Sequence, residues 1–131
     1  MISRRMPRAV VALVSGGLDS LILVRTLLDG RAVVHPVYVR GGLVWEFAEL
    51  RWVRRWLRAL RDPRLKALRI LDVSFRSLYP DHWSLTGRGV PSANSPETAV
   101  YLPGRNVLLL SAAAVYGVGQ QVDVFIDVGV K

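Results

Sequence analysis

The 131-residue chain contains no cysteine. Disulfides, thiolate metal sites and cysteine nucleophiles are therefore excluded from its chemistry. It has no apolar run near the ~18 residues that a membrane span requires. The first eight residues are basic, and the apolar stretch that follows, residues 9–14, ends at Ser15-Gly16-Gly17. That stretch is too short for a secretory core, so the cytosol is the expected compartment and no membrane partner is expected. Acidic side chains are scarce: 10 Asp+Glu stand against 18 Lys+Arg, a net charge of +8. Such an excess suits an anionic partner such as nucleotide, pyrophosphate or RNA, without choosing among them. What the chain does have is 51% hydrophobic residues and only 21% charged ones, which argues against disorder. Its length suits one domain with a real core, so residues 1–131 are read as a single domain.

Apolar, β-branched runs at residues 8–14, 32–39, 67–73 and 122–128 read as strands. Between them, residues 18–28, 45–60 and 106–116 carry apolar residues at helical spacing. Pro36 conflicts with its strand, because it removes a ladder donor. In the second helix Ala48, Trp52, Trp56, Ala59 and Leu60 read as the buried stripe, with Arg51, Arg54, Arg55 and Arg58 around the rest. The third helix is apolar enough to be buried on most sides. Residues 74–104 read as a long polar loop, a length that usually signals function. Strands alternating with helices predict an α/β fold with a parallel sheet and right-handed crossovers.

The segment Ser15-Gly16-Gly17-Leu18-Asp19-Ser20 lies directly between the first strand and the first helix. Two glycines let successive N–H groups turn toward an anion, and the helix adds the positive end of its dipole. Ser15 and Ser20 can donate hydroxyl hydrogen bonds. A carboxylate beside a phosphate is repulsive, so Asp19 makes sense as a holder of Mg²⁺ or an organiser of the loop. The segment lacks the Gly-Lys-Ser/Thr ending of a Walker loop and is not a Gly-x-Gly-x-x-Gly fingerprint. Its plain alternative is a helix N-cap built on an ordinary turn.

This hexad resembles the PP-loop of the N-type ATP pyrophosphatases, which cleave ATP between the α and β phosphates and adenylate a substrate oxygen. Tyr101-Leu102-Pro103-Gly104-Arg105-Asn106 resembles the Val-Pro-Gly-Arg-Asn segment of one branch, the 7-cyano-7-deazaguanine synthases of queuosine biosynthesis. Arg105 at a helix start agrees physically, since a cation there is best explained by a bound anion. The resemblance implies a three-layer α/β/α, Rossmann-like fold of the adenine nucleotide alpha hydrolase type, with strand order 3-2-1-4. It implies ATP and Mg²⁺ as cofactors, and an ATP-dependent carbon–nitrogen ligase that converts a purine-like 7-deazaguanine carboxylate with ammonia to the nitrile. Carried over by position, Leu13, Val14, Ser15, Gly16, Gly17, Leu18, Asp19, Ser20, Tyr38, Val39, Gly104 and Arg105 would hold the nucleotide. Among these, Leu13, Val14, Tyr38 and Val39 would wall the adenine, while Asp19 and Arg105 would take part in catalysis, Asp19 with Mg²⁺.

The chain also departs from that family. Members carry Tyr-Gly-Gln-Arg-His after the second strand, whereas this chain reads Tyr38-Val39-Arg40-Gly41-Gly42-Leu43-Val44-Trp45-Glu46. Members continue past the fourth strand to a four-cysteine zinc site, so this chain reads as the N-terminal part of a longer fold, and no zinc is expected in it. An exposed fourth strand would favour a homodimer. Two other readings stand beside the synthase: a tRNA-modifying PP-loop adenylase, and a nucleotide-binding fragment or partner subunit without turnover. Eight basic residues between Arg51 and Arg69 either bind RNA or form a solvated helix face. His82, Tyr79 and Trp83 in the long loop are weaker candidates, read first as residues that pin the loop.

Overall fold

The computed structural model describes residues 9–15, 17–92, 104–120 and 123–125. The elements in chain order are β1 (Ala9–Leu13), α1 (Leu18–Asp29), β2 (Val33–Arg40), α2 (Glu46–Leu60), β3 (Arg69–Asp72), α3 (Trp83–Thr86), α4 (Arg105–Gln120) and β4 (Asp123–Phe125). The strands form one parallel sheet ordered β3-β2-β1-β4. The α/β expectation therefore holds.

The period-two rule of a strand explains the layers. Val10, Ala12 and Val14 point to one face, where they pack with Val34, Tyr38 and the buried sides of α1 and α2. Val11 and Leu13 point to the other face and join Val37, Val39 and Ala113 of α4. Burial on both faces explains why β1 is an unbroken apolar run rather than an alternating one. In β3 the same alternation sends Ile70 to the first cluster and Leu71 to the second.

Pro36 sits fully buried inside β2, a position its chemistry disfavours. The hydrogen bonds show how it is accommodated. Val34 donates to the Arg64 carbonyl and accepts from the Lys66 N–H, both at 2.8 Å. Two residues on, Pro36 turns its nitrogen to that same side. The ladder with β3 resumes only at Val37, opposite Arg69. Proline thus falls where the partner strand is interrupted, and no donor is missed.

Helix α2 corrects the expected stripe. Its buried residues are Glu46, Leu50, Val53 and Leu57. Ala48, Ala59 and Trp52 are exposed, Trp52 to 62%, and Trp56 is half-buried. The slim residues at 50, 53 and 57 lie against the sheet, and the wide indoles are displaced to the flank. Arg61 ends the helix in the left-handed region, before Asp62-Pro63. Helix α4 is also corrected: Ala113 is buried, but Val107, Leu110, Val115 and Val118 are exposed. Its apolar composition therefore overstated its burial. One side packs on the sheet and the other faces outward.

The long loop is more structured than its composition suggested. It contains α3, and its Phe75 is fully buried beside Leu43. Phe75 donates its N–H to the Gly41 carbonyl at 2.9 Å, and its ring occupies the space a Cβ on Gly41 would need. Among the described residues, no helix is long and apolar enough to cross a membrane.

Because the clash at Gly41 is with a buried ring rather than a flexible side-chain end, Gly41→Ala is expected to destabilise the fold by about 1–3 kcal/mol. Urea denaturation followed by tryptophan fluorescence measures this. The paired change at Gly119, which has open space around it, serves as the control.

Candidate functional site

The carboxyl ends of β1 and β2 and the start of α4 carry the candidate residues. After β1 the chain turns through Ser15 into α1, capped by the backbone of Gly17 with no side-chain cap. The first-turn N–H groups of α1 therefore have no side chain bonded over them, at the positive end of a 12-residue helix. Ser15, Gly17, Leu18 and Asp19 are exposed around this end. Ser20 is different. The residue is 4% exposed, and its hydroxyl accepts the Ser15 N–H at 3.2 Å and donates to the Gly17 carbonyl at 3.0 Å. Its hydroxyl shapes the loop from within rather than facing an anion. Gly16 lies outside the described residues.

Leu13 and Val14 are core residues on opposite faces of the sheet. Their side chains are buried, so at this end of β1 only backbone is on offer to a ligand. Val39 is buried in the same way. Tyr38 is also buried, but its hydroxyl donates to Glu49 Oε1 at 2.9 Å.

The departure from the family pattern after β2 has a structural solution of its own. Gly41 and Gly42 donate their N–H groups to the two oxygens of Glu46, at 2.8 and 2.9 Å. Glu46 is buried and opens α2, so one carboxylate caps the turn and stands at the favourable end of the helix dipole. Gly42 has φ of +91°, a conformation that suits glycine. Glu46 and Glu49 were not recognised from the sequence. The signal was present as two carboxylates three residues apart in the first turn of a helix that follows a Gly-Gly turn.

Arg105 is the first residue of α4, preceded by Gly104 with φ of +70°. Its Nε is buried and has no hydrogen-bond partner among the described residues. Its positive charge reaches both Tyr38 and Glu49. Burial raises the Glu49 carboxyl above its ordinary range, while the Tyr38 hydrogen bond and then Arg105 pull it back down. The Tyr38 hydroxyl is held strongly protonated, first by burial and then by the Glu49 charge. The structure thus brings Tyr38, Glu49 and Arg105 into one electrostatic group.

An unpartnered buried guanidinium nitrogen fits an anionic ligand, because leaving such a donor unmet is costly. The exposed carboxylate of Asp19 beside an uncapped helix end fits Mg²⁺, which typically takes one or two protein carboxylates together with substrate phosphates. No group of three or more metal-ligating side chains occurs among the described residues. His82 is accounted for structurally: its Nδ1 accepts the Ser84 N–H at 3.2 Å and caps α3.

A sequence model of the family described as queuosine biosynthesis protein QueC matches residues 8–131. This chain belongs to the QueC family. It is 30% identical over 117 residues to 7-cyano-7-deazaguanine synthase 1 of Desulfitobacterium hafniense (strain Y51), covering 86% of this chain and 51% of that protein. The chain therefore spans about half the length of this relative. No solved structure matches.

The Tyr38–Glu49 pair makes a pH-dependent prediction. Tyr38→Phe leaves the half-buried Glu49 carboxylate without its donor and is expected to cost about 1–3 kcal/mol at pH 7. Glu49 is raised in the folded state, so the folded state binds its proton more readily and this group's contribution falls as pH rises past the unfolded value. The variant raises Glu49 further. Its deficit should therefore shrink as pH falls and the carboxyl becomes neutral, which urea denaturation of both proteins at pH 7 and pH 5 measures.

Proposed function

We propose that this QueC-family chain forms the ATP-handling part of an enzyme that converts a 7-deazaguanine carboxylate, with ammonia, to the nitrile. The observation that carries the reading is the buried Nε of Arg105 at the start of α4, which has no hydrogen-bond partner among the described residues. It is supported by the uncapped start of α1 directly after β1. Mg·ATP, when bound, supplies an electrophilic α-phosphorus and a pyrophosphate leaving group.

In this reading the first-turn N–H groups of α1 receive phosphate oxygens, and the Ser20 hydroxyl holds the loop in shape beneath them. Asp19 would hold the Mg²⁺, whose charge would offset that of the phosphates. Arg105 meets phosphate or the substrate carboxylate and stabilises the charge that grows during transfer. A carboxylate oxygen of the substrate attacks the α-phosphorus and pyrophosphate departs. Ammonia then adds at the activated carbon and AMP leaves with one carboxylate oxygen, giving the amide. A second ATP adenylates the amide oxygen, and loss of that AMP together with the amide protons gives the nitrile. A carboxylate is already a competent nucleophile at neutral pH, so no general base is required for the first step. The Tyr38–Glu49 pair positions the end of β2 and balances the charge of Arg105.

Phosphorus NMR of the protein with Mg·ATP and ammonium, with and without 7-carboxy-7-deazaguanine, tests the reading. AMP and pyrophosphate are expected only when the carboxylate is present. Asp19→Ala should abolish them, and Arg105→Ala should slow their formation at least about 100-fold, the scale for losing one donor to a transition state. ATP that remains intact while still binding in a parallel titration would overturn the synthase reading and leave a nucleotide-binding module.

A further inference from the structure

The exposed flank of α2 plays no part in the proposed ATP site, and it carries a row of arginines. Arg51, Arg54, Arg55, Arg58 and Arg61 are all exposed along it. They span about 15 Å of helix. Among the described residues the ion pairs are Arg25–Asp29, Arg40–Asp72 and Arg64–Asp62, and none uses these five. Neighbours three or four positions apart lie about 5–6 Å from each other, and no ion pair among the described residues relieves their repulsion.

Two depressions adjoin the arginine flank. One, of about 620 Å³, runs between the end of α2 and the lead-in to β3, with Arg54, Arg58, Arg61 and Lys66 on its walls and Leu57 and Leu68 at its base. The other, of about 340 Å³, lies on the outer side of α2 among Phe47, Arg51, Trp52 and Arg55. Phe47 is 79% exposed and Trp52 62%. The Arg55 guanidinium lies 5.6 Å from the centre of the Trp52 ring. Guanidinium groups that have no carboxylate partner among the described residues, beside exposed aromatic rings, are what a single nucleic-acid strand needs: cations for phosphates and ring faces for bases.

We propose that the outer face of α2 and the groove beside it bind a single-stranded RNA segment. The inference is independent of the synthase reading. A lipid surface is disfavoured because the apolar face of α2, Leu50, Val53 and Leu57, is already buried against the sheet. A duplex is disfavoured because Phe47 and Trp52 can stack only on bases that are not already stacked. RNA is recognised mainly in such unstacked stretches. In this arrangement the arginines carry affinity with little sequence preference, and Trp52 and Phe47 distinguish an open strand from a paired one.

Fluorescence anisotropy with a labelled 12-nucleotide single-stranded RNA tests the proposal. Five phosphate contacts give a log–log salt slope of about −3.5, so affinity should fall by roughly 100-fold between 50 and 200 mM salt. The double change Arg54→Glu, Arg58→Glu should weaken binding by at least about tenfold and flatten that slope. Trp52→Ala should weaken the single strand at least about fivefold, leaving a hairpin duplex of the same length unaffected. All three positions are exposed, so circular dichroism should be unchanged. Affinity indifferent to the arginine changes would overturn the site. Equal binding of the duplex, or tighter binding to phosphatidylglycerol vesicles than to the RNA, would overturn the choice of occupant.

Discussion

Five residue pairs join β1 to β2, from Ala9 opposite Val33 to Leu13 opposite Val37. Because β1 is buried on both faces, its register cannot slip without driving the residues of each cluster into the opposite layer. That constraint fixes the height at which the chain leaves the sheet. The turn into α1 and the turn after β2 then emerge side by side at the same end, and the start of α4 is brought over them from the other layer. The candidate site is a consequence of this alignment. Its residues come from loops and helix ends, while the sheet supplies the common level from which they project.

The second turn shows how this chain maintains the site with a sequence that departs from its family. Gly41 and Gly42 bind Glu46 through their N–H groups, and Gly41 rests on the ring of Phe75. A loop that could have wandered is therefore held from both sides, by a carboxylate within α2 and by an aromatic ring from beyond β3. Glu49 lies one turn further along α2 and takes the Tyr38 hydroxyl. Two carboxylates of one helix thus hold the backbone and a side chain of the preceding strand. Arg105 contributes the positive charge that makes the Glu49 carboxylate tolerable there.

Much of this was legible in the sequence, and the exceptions have physical causes. The alternation of apolar runs and helical spacing identified the α/β class, since two-sided burial leaves an unmistakable run such as VVALV. The placement of the hexad between β1 and α1 was equally plain. Sequence could not tell that Ser20 turns its hydroxyl inward, because donor capacity says nothing about direction. The stripe of α2 was misread because indoles are hydrophobic by composition, whereas Leu50, Val53 and Leu57 take the buried face, Trp56 packs at its margin and Trp52 is exposed. Helix α4 was misread for a related reason: apolar residues on an outer layer need not be covered. His82 was a weak candidate in the sequence and is a helix cap in context. Glu46 was legible in its place after the Gly-Gly turn, whose N–H groups it accepts, whereas the partner of Glu49, Tyr38, lies 11 residues back in another element, which local spacing does not reveal.

Pro36 has a consequence for how the molecule can vary. The break it imposes between the residue 64–66 contact and the β3 ladder uncouples the lead-in segment from the regular sheet. Residues 66–68 line the basic groove but carry no strand pairing with Pro36. Substitutions at Ala67 and Leu68 can alter the groove without touching a pairing of the strand that sets the level of the candidate site.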